Sequence, residues 1–131
     1  MATEGTFSVT NATSCTLFGS VSHKNNADEA VYFGPNGLPP GQTSQQANWY
    51  SGAGTHDSWY WNIQFNNQGA FLKGSMGCAE FDEDADANTV ITIENGTITV
   101  APPVSSSCGP NSLGGSCVSK SDEVNKNKYK P

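Results

Sequence analysis

Within residues 57–65, hydrophobic and polar residues alternate strictly from Ser58 to Phe65. A period of two is typical of a β-strand that has one buried face and one face in solvent. We therefore predict a central strand in this segment. Its buried face is predicted to carry Trp59, Trp61, Ile63 and Phe65, and its solvent face Ser58, Tyr60, Asn62 and Gln64.

A second local signal is the dipeptide Asn95-Gly96, which is preferred in two-residue type I′ hairpin turns. Counting outward from this turn pairs every apolar residue with an apolar residue and every polar residue with a polar one. The predicted pairs are Glu94 with Thr97, Ile93 with Ile98, Thr92 with Thr99 and Ile91 with Val100. The turn preference of Asn95-Gly96 and the alternation along the two strands therefore predict the same register.

The rest of the chain contains shorter alternating stretches, separated by residues that favour turns. They occupy residues 6–11, 15–23, 29–33, 42–50 and 70–73. We expect residues 74–77 to break the strand before them, and residues 105–116 to form a coil after Pro102-Pro103. Turn signals at intervals of roughly ten residues indicate an all-β fold, an antiparallel β-sandwich of seven or eight short strands with almost no helix. A closed barrel is the alternative.

The chain has 131 residues, a length typical of one domain. We assign residues 1–118 to a single sandwich domain that includes the C-terminal coil. Residues 119–131 contain four of the six lysines and almost no apolar residue, so we predict a flexible tail there.

The charge excludes one class of partner. Twelve acidic residues against six lysines give a net charge of −6, and the sequence contains no arginine. Since arginine is the usual reader of phosphates and base edges, we expect no binding to nucleic acid. No stretch approaches the roughly 20 apolar residues of a transmembrane helix, and the first residues do not resemble a signal peptide.

Four widely spaced cysteines permit two disulfides. We predict Cys108–Cys117, which would close the C-terminal coil, and Cys15–Cys78. A zinc site is the rival interpretation, but the sequence has no C-x-x-C pair, and both histidines lie far from any cysteine in sequence. Paired cysteines favour an extracellular location.

Aromatic and amide side chains on and before the central strand predict a ligand-binding surface. Aromatic faces stack on pyranose rings, and amides supply hydrogen bonds. The alternation assigns Trp59 and Trp61 to the core. The predicted binding residues are therefore Trp49, Tyr50, Tyr60, Asn62 and Gln64. The alternative for this face is a solvated sheet surface without a ligand.

An acidic run begins with the D-x-D-x-D-x-N spacing that opens a calcium loop. The ligands would be Asp82, Asp84, Asp86 and Asn88. An EF-hand is excluded because Ala87 stands where that loop needs glycine, and Ile93 where it needs glutamate. A looser oxygen-ligand calcium site remains, and it is the only cofactor that the sequence indicates. Otherwise the acidic side chains are expected to be solvated.

His56-Asp57-Ser58 contains the residue types of a hydrolase triad. Neighbours on a strand point to opposite faces, so these three residues cannot form a relay. We expect no enzymatic activity. Asp57 is expected to accept hydrogen bonds from backbone N–H groups of the glycine-rich loop before it.

Several segments share their order with a known family. They are Val21-Ser22-His23, the turn Leu38-Pro39-Pro40-Gly41, residues 50–61, and the acidic run before Val90-Ile91-Thr92-Ile93. With loose spacing, they resemble the "up-regulated in Daf-2" domain family, whose segment Gly-x-Gly-Thr-x-x-Asp-x-Trp-x-Trp is similar to residues 52–61. The resemblance covers about residues 6–101. It implies a compact β-sandwich and carries over no site residue.

These patterns favour a non-enzymatic, secreted recognition module that binds a glycan or a surface partner. One alternative is a membrane-active protein, similar to a toxin or effector, that acts on lipid. A third is a structural subunit that assembles through the lysine-rich tail and the acidic run. The sequence leaves the oligomeric state open.

Overall fold

The computed structural model describes residues 3–51 and 57–117. Within these residues, nine strands form two β-sheets that share one hydrophobic core, and the only helical elements are single turns of 3₁₀-helix at Ala27–Glu29 and Asp82–Asp84. The strands are β1 (Thr3–Asn11), β2 (Leu17–His23), β3 (Ala30–Tyr32), β4 (Ala47–Ser51), β5 (Ser58–Phe65), β6 (Leu72–Gly77), β7 (Asn88–Ile93), β8 (Thr97–Ala101) and β9 (Cys108–Ser112). The tail predicted for residues 119–131 lies outside the described residues.

The five-stranded sheet has the order β4-β1-β7-β8-β9, and the four-stranded sheet has the order β3-β2-β5-β6. The prediction of an all-β sandwich is confirmed. Two details differ from the prediction: the described residues form nine strands, and β1 pairs with β7 in parallel. The chain builds the whole four-stranded sheet and β4 between these two strands. This long crossover allows β7 to run in the same direction as β1.

The alternation on β5 is confirmed. Trp59, Trp61 and Ile63 are buried, and Phe65 is half-buried against the same core. The indoles of Trp59 and Trp61 also satisfy their polar N–H groups, as buried tryptophans usually do. Trp59 Nε1 donates to the carbonyl of Cys78 at 3.0 Å, and Trp61 Nε1 donates to that of Leu113 at 3.2 Å. The central strand is thereby tied to the segments that follow β6 and β9.

Two tryptophans pack over a glycine on the neighbouring strand. Trp61 lies opposite Gly74 on β6, and Trp49 lies opposite Gly5 on β1. A Cβ at either glycine would overlap the facing indole ring. The prediction that residues 74–77 break the strand is therefore wrong, because a glycine here makes room for an indole inside a continuous strand.

The register of the β7–β8 hairpin is confirmed, with Ile93 opposite Ile98 and Ile91 opposite Val100. The predicted type I′ turn is wrong, since neither Asn95 nor Gly96 has the positive φ that this turn needs. Long-range contacts hold the turn instead. The backbone N–H groups of Cys117 and Leu113 donate to the carbonyls of Asn95 and Gly96, and that of Ser14 donates to Asn95 Oδ1.

The predicted coil at 105–116 is also wrong in part, because Cys108–Ser112 forms β9 at the edge of the five-stranded sheet. It pairs with β8 through an irregular register. Pro110 lies within this strand. An edge strand tolerates proline, since its outer N–H group has no ladder partner to lose.

Both predicted disulfides are wrong. The bonds are Cys15–Cys117 and Cys78–Cys108. Cys15 precedes β2 at the end of the four-stranded sheet where Leu17 faces Phe65, whereas Cys78 follows β6 at the opposite end, where Gly77 faces Ser58. The length of a strand, roughly 20 Å, separates these ends. A disulfide joins Cα atoms less than about 7 Å apart.

The same reasoning excludes the bond predicted between Cys108 and Cys117. Cys108 pairs with Val100 at one end of β8, and Cys117 contacts Asn95 at the other. The observed bonds therefore close two different ends of the sandwich. Two disulfides are compatible with an extracellular protein.

Candidate functional site

The solvent side of the four-stranded sheet combines aromatic and polar side chains. We call it the outer face. The register places Ser20 and Lys73 on either side of Asn62, and Ser22 and Ser75 on either side of Tyr60. Ser22 is buried, and the name covers nine residues of this face that are exposed or half-exposed: Phe18, Ser20, Tyr32, Tyr60, Asn62, Gln64, Phe71, Lys73 and Ser75.

The structure brings together three of the five predicted binding residues. Tyr60, Asn62 and Gln64 share the outer face and are half-exposed. The placement of Trp49 in this site is wrong, because its side chain is fully buried in the core. Tyr50 is 41% exposed, but it lies on β4 in the other sheet and points away from the core. Neither Trp49 nor Tyr50 can therefore join a site on the outer face.

Three aromatic residues of the outer face were not among the predicted binding residues. They are Phe18, Tyr32 and Phe71, and the last two are 56% and 43% exposed. Phe71 packs beside Gly19, since a Cβ on that glycine would come within 3.2 Å of the phenyl ring. The signal for Tyr32 was present, because it alternates with the buried Val31 and Phe33.

Two amides lie between these aromatic rings. Gln64 Nε2 donates to the carbonyl of Gly69 at 2.8 Å, so this side chain is fixed in place. Asn62 Oδ1, at the centre of the face, has no hydrogen-bond partner among the described residues. A buried amide oxygen without a donor is unfavourable by roughly 1–3 kcal/mol. Asn62 is thus half-exposed as a residue, while its amide oxygen is buried and unpaired among the described residues.

The acidic run is organised around Asp84, which is fully buried. Its Oδ1 accepts the N–H groups of Val104 and Ser105, and its Oδ2 accepts the Phe81 N–H and the Ser105 hydroxyl. Burial alone would raise the pKa of Asp84, but these hydrogen bonds outweigh it and hold the pKa below its ordinary value. Four donors fill the four lone pairs of the carboxylate. The carboxylate of Asp84 is thus fully hydrogen-bonded within the protein.

The other predicted calcium ligands point to different neighbours. Asp82 accepts the Thr3 hydroxyl, Asn88 Nδ2 donates to the Ser8 hydroxyl, and Asp86 is exposed. Across residues 3–51 and 57–117, no group of three or more acidic, histidine or cysteine side chains is arranged to hold a metal ion. The D-x-D-x-D-x-N spacing therefore does not correspond to one cluster of oxygen atoms here.

A buried histidine between two carboxylates was also missed. His23 is fully buried at the end of β2, with Nδ1 2.8 Å from Glu29 Oε1 and Nε2 2.8 Å from Asp57 Oδ1. Each of these contacts joins a ring nitrogen to a carboxylate oxygen at hydrogen-bonding distance. No local sequence pattern indicates the contact between His23 and Asp57, since the two residues are 34 positions apart.

Further donors bond to both carboxylates. The Tyr50 N–H and the Asn26 amide donate to Glu29, while the Glu80 N–H and, at 3.3 Å, the Ser51 hydroxyl donate to Asp57. Burial would raise the pKa of Asp57, but the hydrogen bonds from His23, Glu80 and Ser51 lower it below its ordinary value. The cluster joins β2, β4, the residue before β5 and the turn at Ala27–Glu29.

The chemistry available to this cluster is limited. Both ring nitrogens of His23 contact carboxylates, so neither is available to take a proton from a nucleophile. The Ser51 hydroxyl bonds to Asp57 and not to the imidazole.

The cluster also joins two segments of the family resemblance, Val21-Ser22-His23 and residues 50–61. The predicted contacts between Asp57 and residues 52–56 lie outside the described residues.

Glu80 lies next to this network and is buried, at 4% exposure. Its Oε1 accepts the Thr89 hydroxyl at 2.6 Å, and its Oε2 has no partner among the described residues. Burial raises the pKa of Glu80 to about 7, and the nearby charges of Asp84 and Asp57 act in the same direction. The Thr89 hydrogen bond opposes the shift but does not cancel it. The expectation that the acidic run is solvated is thus wrong for Glu80 and Asp84.

The raised pKa predicts how stability depends on pH. Because the folded state binds the Glu80 proton more tightly than the unfolded state, this contribution is fully present below pH 4.5 and is lost as pH rises through about 7. We expect the free energy of unfolding to fall by roughly 3 kcal/mol between pH 5 and pH 8. Urea denaturation followed by circular dichroism at several pH values measures this dependence.

The matched variants are Glu80→Gln and, at an exposed position of the same run, Glu83→Gln. Glu80→Gln should remove most of the slope and exceed the wild type in stability at pH 8, while Glu83→Gln should keep the slope. Asp57 and Asp84 do not interfere, because their lowered pKa values act only below about pH 4. An unchanged slope in Glu80→Gln would show that another group causes it.

No protein-family model matches the chain, and neither does any curated protein. The resemblance to the "up-regulated in Daf-2" family stays a prediction. Among the described residues, no helix is long and apolar enough to cross a membrane.

Proposed function

We propose that this protein is a secreted, non-enzymatic recognition module that binds a glycan through the outer face. The observation that carries the proposal is the arrangement of four aromatic side chains around Asn62 and Gln64 on one side of one sheet. Aromatic rings cover the apolar faces of sugar rings, and amides bond to sugar hydroxyls. Ligand sites commonly combine such aromatic surface with a few polar groups.

The spacing of the rings favours an extended ligand. Tyr32 and Tyr60 lie on strands separated by β2 and in adjacent rows. With strands about 4.8 Å apart and alternate residues about 7 Å apart, their backbone positions are about 12 Å apart. One sugar ring cannot reach both positions, whereas an oligosaccharide can. Lys73 is the single cation among the nine residues of the outer face, and the chain carries a net charge of −6, so an uncharged glycan fits better than a polysulfated one.

We expect Tyr60→Ala to weaken binding to a neutral polysaccharide at least tenfold, because it removes an aromatic ring beside Asn62. The measurement is a depletion assay with insoluble cellulose, chitin, β-glucan and mannan. Tyr50→Ala is the control, since Tyr50 is also exposed but lies on the other sheet. Its affinity should stay within about twofold of the wild type. The proposal fails if no polysaccharide binds, or if Tyr50→Ala and Tyr60→Ala have equal effects.

The membrane-active alternative has weaker support. Phe81 and Val104 are exposed and lie close together, because the backbone N–H groups of both donate to Asp84. Asp82 and Glu83 lie beside them, and their charges oppose approach to an anionic membrane. The assembly alternative needs the lysine-rich tail, which lies outside the described residues.

A further inference from the structure

An open groove of about 340 Å³ runs beside β3, on the side of the sandwich where the edges of the two sheets approach each other. One wall follows β3, and the other is the segment that leads into β4. The lining residues are Tyr32, Phe33, Gly34, Leu38, Thr43, Ser44 and Gln45. Its volume is near the lower end of the range for small-molecule sites.

Hydrogen bonds hold the walls of this groove in place. The backbones of Leu38 and Leu17 exchange two hydrogen bonds, at 2.8 and 3.0 Å. Ser44 is fixed to β1 twice, because its N–H donates to the Val9 carbonyl and its hydroxyl accepts the Val9 N–H. The hydroxyls of Thr43 and Thr10 lie 2.9 Å apart. A groove formed in advance binds without the cost of ordering its walls.

The lining suits an uncharged ligand that has both apolar and hydroxylated surfaces. None of the seven lining residues carries a charge. Phe33 and Leu38 are nearly buried and form an apolar floor, while Tyr32, Thr43 and Gln45 are exposed at the rim. The Ser44 hydroxyl is already used, since it donates to the Gln45 carbonyl and accepts from Val9. The polar side-chain groups that the lining offers a ligand are the Gln45 amide, the remaining capacity of the Thr43 hydroxyl, and the Tyr32 hydroxyl, which donates to the Ala27 carbonyl at 3.4 Å.

A peptide strand fits this groove less well. A peptide that extends the sheet needs a row of free backbone groups along an edge strand. β3 has only three residues, and Gly34-Pro35 follows it almost at once. Short edge strands next to proline are poor templates for strand addition. The same features leave the side of Tyr32 open to a ring-shaped ligand.

Tyr32 connects the groove to the outer face, because it belongs to both. We propose that the groove is a further subsite of the same glycan site, and that it holds one uncharged sugar unit between Tyr32 and Gln45. A chain that crosses the outer face from Tyr60 would enter the groove as it passes Tyr32. This inference rests on the proposed function and adds to it the position of a terminal unit and the neutral character of that unit.

The test is an NMR titration of the full chain with four soluble probes. They are tetrasaccharides of glucose, of mannose and of N-acetylglucosamine, and a sulfated tetrasaccharide. With a neutral probe we expect amide shifts at Thr43 and Gln45 as well as at Tyr60 and Asn62. Gln45→Ala should weaken that binding about fivefold or more. Gln46→Ala, an exposed neighbour outside the lining, should leave it unchanged.

The other possible results distinguish the proposed site on the outer face from the proposed subsite in the groove. Shifts at Tyr60 and Asn62 alone, with Gln45→Ala binding as well as the wild type, would overturn the groove subsite and leave the outer face as the site. Shifts in the groove alone would overturn the proposed role of the outer face. Equal binding of the sulfated probe would overturn the neutral character of the subsite, and no shift with any probe would overturn both proposals.

A titration with a peptide tests the remaining alternative, in which the groove accepts a peptide strand. An uncharged five-residue peptide of alternating threonine and valine is titrated under the same conditions. If it shifts the amides of Ala30–Tyr32 while no saccharide shifts those of Thr43 and Gln45, the groove is a strand-addition site. That result would refute the sugar subsite. Absence of peptide binding together with saccharide shifts in the groove would support it.

Discussion

Replacing Trp59 with alanine should lower the free energy of unfolding by about 4 kcal/mol. The indole is fully buried, meets Phe7 edge-on at 5.1 Å between ring centroids, and lies 4.7 Å from the His23 ring. Removing it leaves a cavity and takes the donor from the Cys78 carbonyl. It also opens space beside His23, which bonds to Glu29 and Asp57. Urea denaturation of the wild type and the variant measures the change.

Trp59→Phe is the companion variant. It keeps most of the ring volume but loses the N–H that donates to Cys78, so its cost should be about 1–2 kcal/mol. This variant keeps the prediction testable if Trp59→Ala does not fold. Tyr50→Ala, at an exposed position, should change stability by less than about 0.5 kcal/mol. A loss below about 1.5 kcal/mol in Trp59→Ala would contradict a central role of this side chain in the core.

The second large effect concerns the disulfides, whose loops differ in length. Cys15–Cys117 spans 102 residues, and Cys78–Cys108 spans 30. In the chain-entropy description these loops correspond to about 4.7 and about 3.6 kcal/mol of stabilisation. We therefore expect the double variant Cys15→Ala/Cys117→Ala to lose about 1 kcal/mol more than Cys78→Ala/Cys108→Ala. Denaturation of both double variants measures the difference.

Two measurements control for other causes. Non-reducing peptide mapping of the wild type should show Cys15 joined to Cys117 and Cys78 joined to Cys108. Circular dichroism should show the same β content in both double variants before denaturation. If the Cys78→Ala/Cys108→Ala protein is the less stable one, loop length does not decide the order. Contacts of the Cys78 segment, such as its hydrogen bond with Trp59, would then dominate.

Alternation succeeded where each strand has one buried face. Along β5 it identified the buried face, on which Phe65 is half-buried, and placed Tyr60, Asn62 and Gln64 on the half-exposed face. On β7 and β8 it gave the correct register, although the turn type used in the argument was wrong. Both results depend on neighbours in sequence, because the pleat alone decides which side chains share a face.

The same signal failed where contacts between distant segments decide burial. Residues 42–50 alternate weakly, so nothing local placed Trp49 in the core opposite Gly5. The acidic run looked solvated, yet the loop at 104–105 supplies three of the four hydrogen bonds that bury Asp84. In both cases the partner lies far away in sequence. No local sequence pattern indicates this distant partner.

The sequence by itself determined the fold class, the central strand, the register of one hairpin and three residues of the candidate site. These features follow from period-two patterning, which a few adjacent residues express. Only the tertiary structure decided the parallel β1–β7 pair, the disulfide partners, the His23 cluster and the groove beside Tyr32. Each of these joins segments that are distant in the chain. Their pairing depends on how the two sheets pack, which alternation along a single strand does not encode.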